Sequence, residues 1–466
     1  MTQIYDRHCS CDERQPSWMN KLREERIQRP GIALLPPELL SIIFLAARDS
    51  EGRFPKDAAH IEITISHVNS FWRTTALTNA AFWSRISIDC PSESKHALSR
   101  ARCYISRSSS FPIDVLIQSY NLRFPSPTLG SLTARLKAAT QLILEHIHRV
   151  RSLAFRCSSN NESLECQDLL IATSAPILRS FSMKITYPFG SHLDERHIFV
   201  DGATQLRYFY TGSPETLPTT NSLRSVVHFG LDRLRYVRLS TLVQTILPLC
   251  SLRHLSLRGS FDGLLELANP PGTLVLPNLL SLRLKRAASL AVGLLTNLEA
   301  HNLNSLWLDS RAYNIRELLE RPEMKHPKFP RLQYLTITQT FSQETHQLLH
   351  NIFPSVTHLH CACVEMIFAR DLAHALLNGW HKVHTVIVSK FTETPSYTSV
   401  NLARYWATPF SKCLAVDPSL KTLLVDTKER VSFIHVSESN PTRSIQVESL
   451  HSDNYDEYWW NTDEWQ

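Results

Sequence analysis

The sequence predicts an α/β fold in which three short helices near the N-terminus are followed by an irregular solenoid of stacked strand-and-helix units. Three observations carry that expectation. A proline-led amphipathic segment opens at Leu35, one apolar phrase recurs from Val150 to Val425, and the composition is that of a folded chain, 43% hydrophobic and 20% charged. At roughly 150 residues per domain, 466 residues correspond to about three domains or one long array.

Composition also excludes several functions. Only 12 glycines occur, and the closest pair, Gly259 and Gly263, lies in no phosphate-loop pattern, so Walker A and GxGxxG nucleotide sites are absent. The net charge of +6, from 49 basic and 43 acidic residues, falls short of the clustered basic footprint of a dedicated nucleic-acid binder, and no nucleic-acid partner is expected. Ten cysteines, with CxC pairs at Cys9/Cys11 and Cys361/Cys363 and no CxxC, fit neither a disulfide scaffold nor a zinc ribbon. They are read as mostly reduced, which with a polar start lacking an apolar h-region and no long apolar run gives a cytoplasmic or nuclear protein without a membrane partner.

The chain parses into a polar N-terminal lead-in (1–30), a helical domain (31–90), a helical linker (91–145), the repeat array (146–430) and a C-terminal segment (431–466). At Leu35-Pro36-Pro37-Glu38 the prolines preset φ and Glu38 complements the helix dipole. Leu39, Ile42, Ile43 and Ala46 then form one apolar face, broadened by Leu40 and Phe44. A second helical pattern runs from Ile63 through Val68, Phe71, Trp72 and Thr75, and a third apolar group spans Phe82, Trp83, Ile86 and Ile88. So small a helical domain has a modest core and needs a partner.

LPPELLSIIF at Leu35 to Phe44, HVNSFWR at His67 to Arg73 and FWSRISI at Phe82 to Ile88 resemble the F-box of many fungal proteins. Leu35, Pro36, Glu38, Leu39, Leu40, Ile43, Phe44, Val68, Trp72, Arg73 and Trp83 stand at matching places. Asn69 replaces a common Cys, and the spacer after Phe44 is about ten residues longer than the usual motif. The resemblance implies a three-helix F-box at 31–90 and an adaptor-binding set of Leu35, Pro36, Leu39, Leu40, Ile43, Phe44, Val68, Trp72 and Trp83.

The recurrent phrase, apolar-x-x-apolar-x-apolar, starts at Val150, Leu178, Leu206, Leu234, Leu252, Leu279, Leu303, Leu332, Val356, Val383 and Leu420. Most starts are spaced in or near the 20 to 29 residues of leucine-rich repeats, although the usual Asn or Cys after the last Leu is missing. Within each phrase the fourth and sixth residues share one face of a short strand, which gives an irregular leucine-rich-repeat solenoid. The intervening positions then face outward and supply a candidate substrate surface of Tyr236, Arg238, His254, Arg283, Trp307, Tyr334, His358 and His360, with Arg258 and Lys285 just beyond the phrase. Its arginines suit an acidic or phosphorylated segment.

Local catalytic and metal signatures are lacking. No GxSxG elbow occurs, and His346-Gln347-Leu348-Leu349-His350 carries Gln where HExxH needs its general base. In His358-Leu359-His360-Cys361-Ala362-Cys363 strand alternation sends histidines and cysteines to opposite faces. No catalytic residue, cofactor or metal is therefore assigned.

The combined resemblance implies a non-catalytic substrate-receptor subunit of an SCF-type ubiquitin ligase, with a Skp-type adaptor, through it a cullin, and an unknown protein substrate as partners. A repeat scaffold outside any ligase and an unrecognised hydrolase remain as alternatives. The C-terminal stretch from Val447 to Gln466 has six acids, no Lys or Arg and five aromatics, and reads as an edge cap, a competitor for the basic strip, a docking segment for another partner or a disordered tail.

Overall fold

The structure, a computed structural model, describes residues 35–50, 60–90, 96–119, 129–187, 196–200, 202–212, 216–218, 220–232, 239–259, 273–285, 288–309, 319–321, 324–338, 342–362, 380–389, 422–427, 430–436 and 445–450, with positions 316, 372 and 376. It divides into two compact units, residues 1–85 with 104–111, and residues 86–103 with 112–466.

In the first unit, α1 (Pro37–Ser50) begins at the proline entrance, with Glu38 in its first turn. The expected second helix is broken: α2 (Ile61–Ser66) stops, and α3 (Ser70–Thr78) restarts where the Asn69 side chain accepts a hydrogen bond from the Trp72 amide at 2.8 Å. The expected third helix is not a helix. Ala80–Trp83 is a single 3-10 turn, and Arg85–Asp89 is a strand, β1. Leu40, Phe44, Phe82 and Trp83 fill the core, with Phe44 5.1 Å from Trp72 and Trp83 edge-on to Tyr104 at 5.0 Å.

Among the described residues the second unit is built on a fifteen-stranded sheet whose strands follow one another in chain order, and two small sheets pair Arg196–Ile198 with Thr216–Pro218 and Leu274–Val275 with Leu298–Glu299. After β1 come β2 (Ile113–Gln118), β3 (Val150–Ser159), β4 (Ser180–Tyr187), β5 (Tyr208–Thr211), β6 (His228–Asp232), β7 (His254–Arg258) and β8 (Ser281–Lys285). Then follow β9 (Ser305–Asp309), β10 (Tyr334–Ile337), β11 (His358–Ala362), β12 (Thr385–Ser389), β13 (Thr422–Thr427), β14 (Arg430–Val436) and β15 (Ile445–Leu450). From β2 to β13 every neighbouring pair is parallel, whereas β13, β14 and β15 form an antiparallel meander. Helices α4 (His96–Arg107), α5 (Leu129–Leu144), α6 (Asn160–Leu170), α7 (Thr220–Leu223), α8 (Leu239–Ile246), α9 (Ala288–Asn297) and α10 (Gln343–Ile352) lie in the connections. Among the described residues no helix is long and apolar enough to cross a membrane.

Register aligns the core. Leu153, Phe181, Phe209, Phe229, Leu255, Leu282, Leu306, Leu335, Leu359 and Val386 are partners across successive strands, and all are buried. Phe181, Phe209 and Phe229 stack at 5.6 Å intervals along that row.

These findings correct the expected fold class of a three-helix F-box followed by an irregular leucine-rich-repeat solenoid. The chain is an α/β fold on a long parallel sheet, and a separate three-helix F-box is not evident. The N-terminal helices do not form the three expected units, and their compact unit also takes in residues 104–111. The sheet starts at β1 and β2, in stretches read as helix and linker, and ends antiparallel, so no single repeating unit runs through it. One expected unit is also misplaced. The strand is β6, in which Phe229 and Leu231 follow Val226 of the preceding turn, and Leu239, read as a strand residue, opens helix α8. Of the C-terminal stretch, Val447 to Leu450 lies in β15, and 451–466 are outside the described residues.

Replacing Leu282, fully buried in the central row, with Ala removes packing on both flanking strands and should cost about 2 to 5 kcal/mol. Leu280→Ala, at a side chain 37% exposed, should cost well under that. Urea unfolding of the two variants measures the difference, and equal losses would reject this register.

Candidate functional site

The residues expected to bind an adaptor separate into two sets. Leu40, Phe44 and Trp83 are core, at 1% exposure or less, and the Trp83 indole donates to the Ala76 carbonyl at 2.7 Å. They are corrected from contact residues to supports, because the face of α1 bearing Leu40 and Phe44 is consumed by packing against Trp72 and Phe82. Pro36, Leu39, Ile43 and Val68 are exposed, and Leu35 and Trp72 are half-buried.

The sequence reading missed further exposed apolar side chains beside them. Ile42 is 62% exposed, and Ile63, Phe71 and Leu77 also face water. Thus α1, α2, α3 and the turn at Val68 each present large apolar groups. Scattered exposed leucines are ordinary, but here several large apolar side chains are exposed on three short helices. The apolar face of α1 was legible, since Leu39, Ile42, Ile43 and Ala46 recur at helical spacing, but spacing does not tell which part of a broad face is buried, and it is Leu40 and Phe44 that form the core.

On the sheet, the expected substrate residues fall in several environments. Tyr236 and Arg238 lie outside the described residues. Next to them in the chain, Gly230 of β6 admits the Tyr210 ring, whose Cδ2 would lie 2.6 Å from a Cβ at that position. Tyr210 donates to Asp232, and Lys184 sits 5.5 Å from its ring centre. Arg258 is exposed but paired with Asp232 at 3.6 Å.

One row along, Arg283, Trp307, Thr336 and His360 are register partners. The Arg283 guanidinium lies 3.8 Å from the Trp307 ring centre and Lys285 lies 5.9 Å from it. Trp307 is only 2% exposed and His360 3%, so both are corrected from open ligand contacts to buried groups. Alternation does turn them away from the leucine row, but burial of this face from β9 to β11 closes it.

A third row holds stacked rings. Tyr208 and His228 lie 4.4 Å apart at 16°, and His228 and His254 lie 4.2 Å apart at 6°. His254 Nδ1 shares a 2.6 Å hydrogen bond with the Ser281 hydroxyl, and farther along Tyr334 packs on His358 at 4.6 Å. Burial, then His254 and Arg253, push His228 down to about 3.

The motifs that suggest metal or thiol chemistry resolve as packing. Cys361 pairs in register with Ile337 and Val388, on the face opposite His358 and His360, and burial pushes its thiol up to about 12. Cys363 lies outside the described residues. Cys90 is likewise pushed up to about 12, first by burial and then by Cys166, so neither thiol is poised to ionise. His346 is buried within α10 and pushed down to about 4. Buried Glu162 accepts from the Ser158 amide at 2.8 Å and from the Ser119 and Ser158 hydroxyls, an arrangement that anchors the start of α6.

Compared with known proteins, the chain matches no family model and no curated protein.

Stability should fall on the acid side of neutrality because of the buried imidazoles. His228 and His346 stay neutral in the folded chain, whereas in the unfolded chain they titrate near 6.5, so below that pH the unfolded state binds more protons. The stabilisation is complete above about 6.5 and is lost as pH falls toward the folded values of about 4 and about 3. His228→Phe keeps a flat ring between Tyr208 and His254 but cannot take a proton. Its melting temperature should drop less than the wild type's between about pH 7 and pH 5; equal drops would rule out this role for His228.

Proposed function

We propose that the chain is a substrate-receptor subunit of an SCF-type ubiquitin ligase, docking on a Skp-type adaptor through the exposed apolar side chains of α1 to α3 and holding a protein substrate on the sheet-bearing unit. The observation that carries the reading is the coincidence of two independent facts. Pro36, Leu39, Ile43 and Val68 stand at places that match the F-box motif, and they are exposed rather than packed. Leu39 and Val68 are each about half exposed, and exposure of several large apolar side chains across α1 to α3 favours a contact surface. The buried set of Leu40, Phe44 and Trp83 then stiffens the helices, and pre-organised anchors lose less entropy on docking.

In this reading the receptor contributes no catalytic group. It works by proximity: tethering raises the effective concentration of substrate lysines beside the ubiquitin-loaded enzyme. The cullin is reached through the adaptor and not by this chain. Use of the same apolar face by a scaffold outside any ligase is separated by whether a cullin accompanies the captured adaptor.

Pro36→Ala combined with Leu39→Ala should abolish adaptor co-purification, since large apolar anchors are worth about 2 kcal/mol or more, roughly 30-fold in affinity each. Both side chains are exposed, so the thermal unfolding of the variant should match the wild type. Mass spectrometry of the captured proteins is the measurement, and an adaptor retained by the folded double variant, or never captured by the wild type, would sink the proposal.

A further inference from the structure

The arginines of the early strands are not spread over the surface. At the start of β3, and in the turns that lead into β4, β5 and β7, the second residue of the apolar phrase is Arg151, Arg179, Arg207 and Arg253. Backbone hydrogen bonds join these positions strand to strand. The Arg179 amide donates to the Arg151 carbonyl at 2.8 Å, Arg207 to Arg179 at 2.9 Å, Val227 to Arg207 at 2.8 Å and Arg253 to Val227 at 2.9 Å. At about 4.8 Å per strand, three guanidinium side chains therefore issue from roughly 15 Å of one sheet edge. Arg224, in the turn before β6, adds a fourth.

These four are exposed, and among the described residues no carboxylate pairs with Arg179, Arg207, Arg224 or Arg253. Arg151 shows what neutralisation looks like here: Asp114 grips it in two hydrogen bonds of 3.1 and 2.6 Å. Asp114 is the register partner of Ser152, and the same row continues as Ser180, Tyr208, His228 and His254. Beyond β2, then, the side chains beside the arginines are neutral. The four turns, 176–179, 203–207, 223–227 and 249–253, contain no Asp or Glu.

We infer that this edge, Arg179, Arg207, Arg224 and Arg253, is a recognition surface for an acidic polypeptide segment, rich in carboxylate or phosphorylated. Which protein owns the segment rests on the receptor reading above; the surface itself does not. Guanidinium groups pair with carboxylate and phosphate in fixed, charge-assisted geometry. A nucleic acid fits less well, because single strands need open aromatic faces to stack bases. Here both faces of His228 are already covered, by Tyr208 and His254, and His254 is tied to Ser281.

Fluorescence anisotropy of the full-length chain tests the surface with four labelled probes: a short peptide of alternating glutamate and serine, its phosphoserine form, a lysine-for-glutamate control, and a single-stranded RNA. The wild type should bind one or both acidic peptides with affinity that falls as salt rises. Arg179→Ala with Arg207→Ala and Arg253→Ala should weaken that binding at least about ten-fold without moving the melting temperature. Arg258→Ala, whose partner Asp232 already occupies it, should change it little. The relative strengths of the two acidic peptides decide between carboxylate and phosphate. Absence of binding to both, equal binding by the triple variant, or capture of the RNA in preference to the peptides would overturn the inference. Adaptor capture by the triple variant should be unchanged, so failure of the edge and failure of the receptor reading give different results.

Discussion

Parallel pairing of neighbouring strands in one register is the constraint on which the second unit depends. A short strand such as Leu255-Ser256-Leu257 cannot cover its own leucines; they become buried only because Phe229 and Leu282 stand beside Leu255, and Leu231 and Leu284 beside Leu257. Burial of each row is thus cooperative along the sheet, and β-branched or aromatic substitutes serve where the row allows them, as Phe181, Phe209 and Phe229 do by stacking. The same register that aligns the core aligns everything else. It places histidine beside tyrosine, arginine beside arginine, and Arg283 over Trp307, without any of these pairs being close in the chain.

Much of that register is legible from the spacing of apolar residues, because alternation on a strand is a strict period of two. The strands from Leu252 onward coincide with the recurrent phrase, and Leu255, Leu282 and Leu335 are buried as that phrase requires. It fails where burial is two-sided or where the phrase occurs twice. In β2, Ile113, Asp114, Val115, Leu116 and Ile117 are all buried, so the strand has no alternation to read. Near β6, Val226-Phe229-Leu231 competes with Leu234-Val237-Leu239, and only tertiary pairing with Phe209 and Leu255 selects the first. In the N-terminal unit, Asn69 competes for the backbone as a cap and divides one amphipathic pattern into two helices.

Site residues were legible to a smaller degree, for a related reason. Pattern tells which face a residue occupies but not whether that face meets water. Trp307 and His360 point away from the leucine row as alternation demands, yet they are buried. Conversely, Leu39 and Ile43 match an apolar stripe and are exposed, whereas Leu40 and Phe44 of the same helix are buried, Phe44 against Trp72. The arginine at the second place of the phrase occurs five times in the sequence, as Arg151, Arg179, Arg207, Arg235 and Arg253. Its meaning depends on knowing that Arg179, Arg207 and Arg253 lie along one edge.

A single carboxylate decides how that edge differs from one end to the other. Asp114 is nearly fully buried and holds Arg151, so the first arginine of the column serves the joint between β2 and β3. The equivalent positions on later strands carry hydroxyls and rings, and His228 in particular is held neutral by burial and by the charges of His254 and Arg253. A carboxylate in place of His228 would lie beside Arg253 and cancel the charge that the edge displays, at the added cost of burying an acid between two rings. The neutral stack therefore has two consequences at once. It fills the row with ring area, and it leaves the arginines next to it without a carboxylate partner among the described residues, which is the condition for an external one.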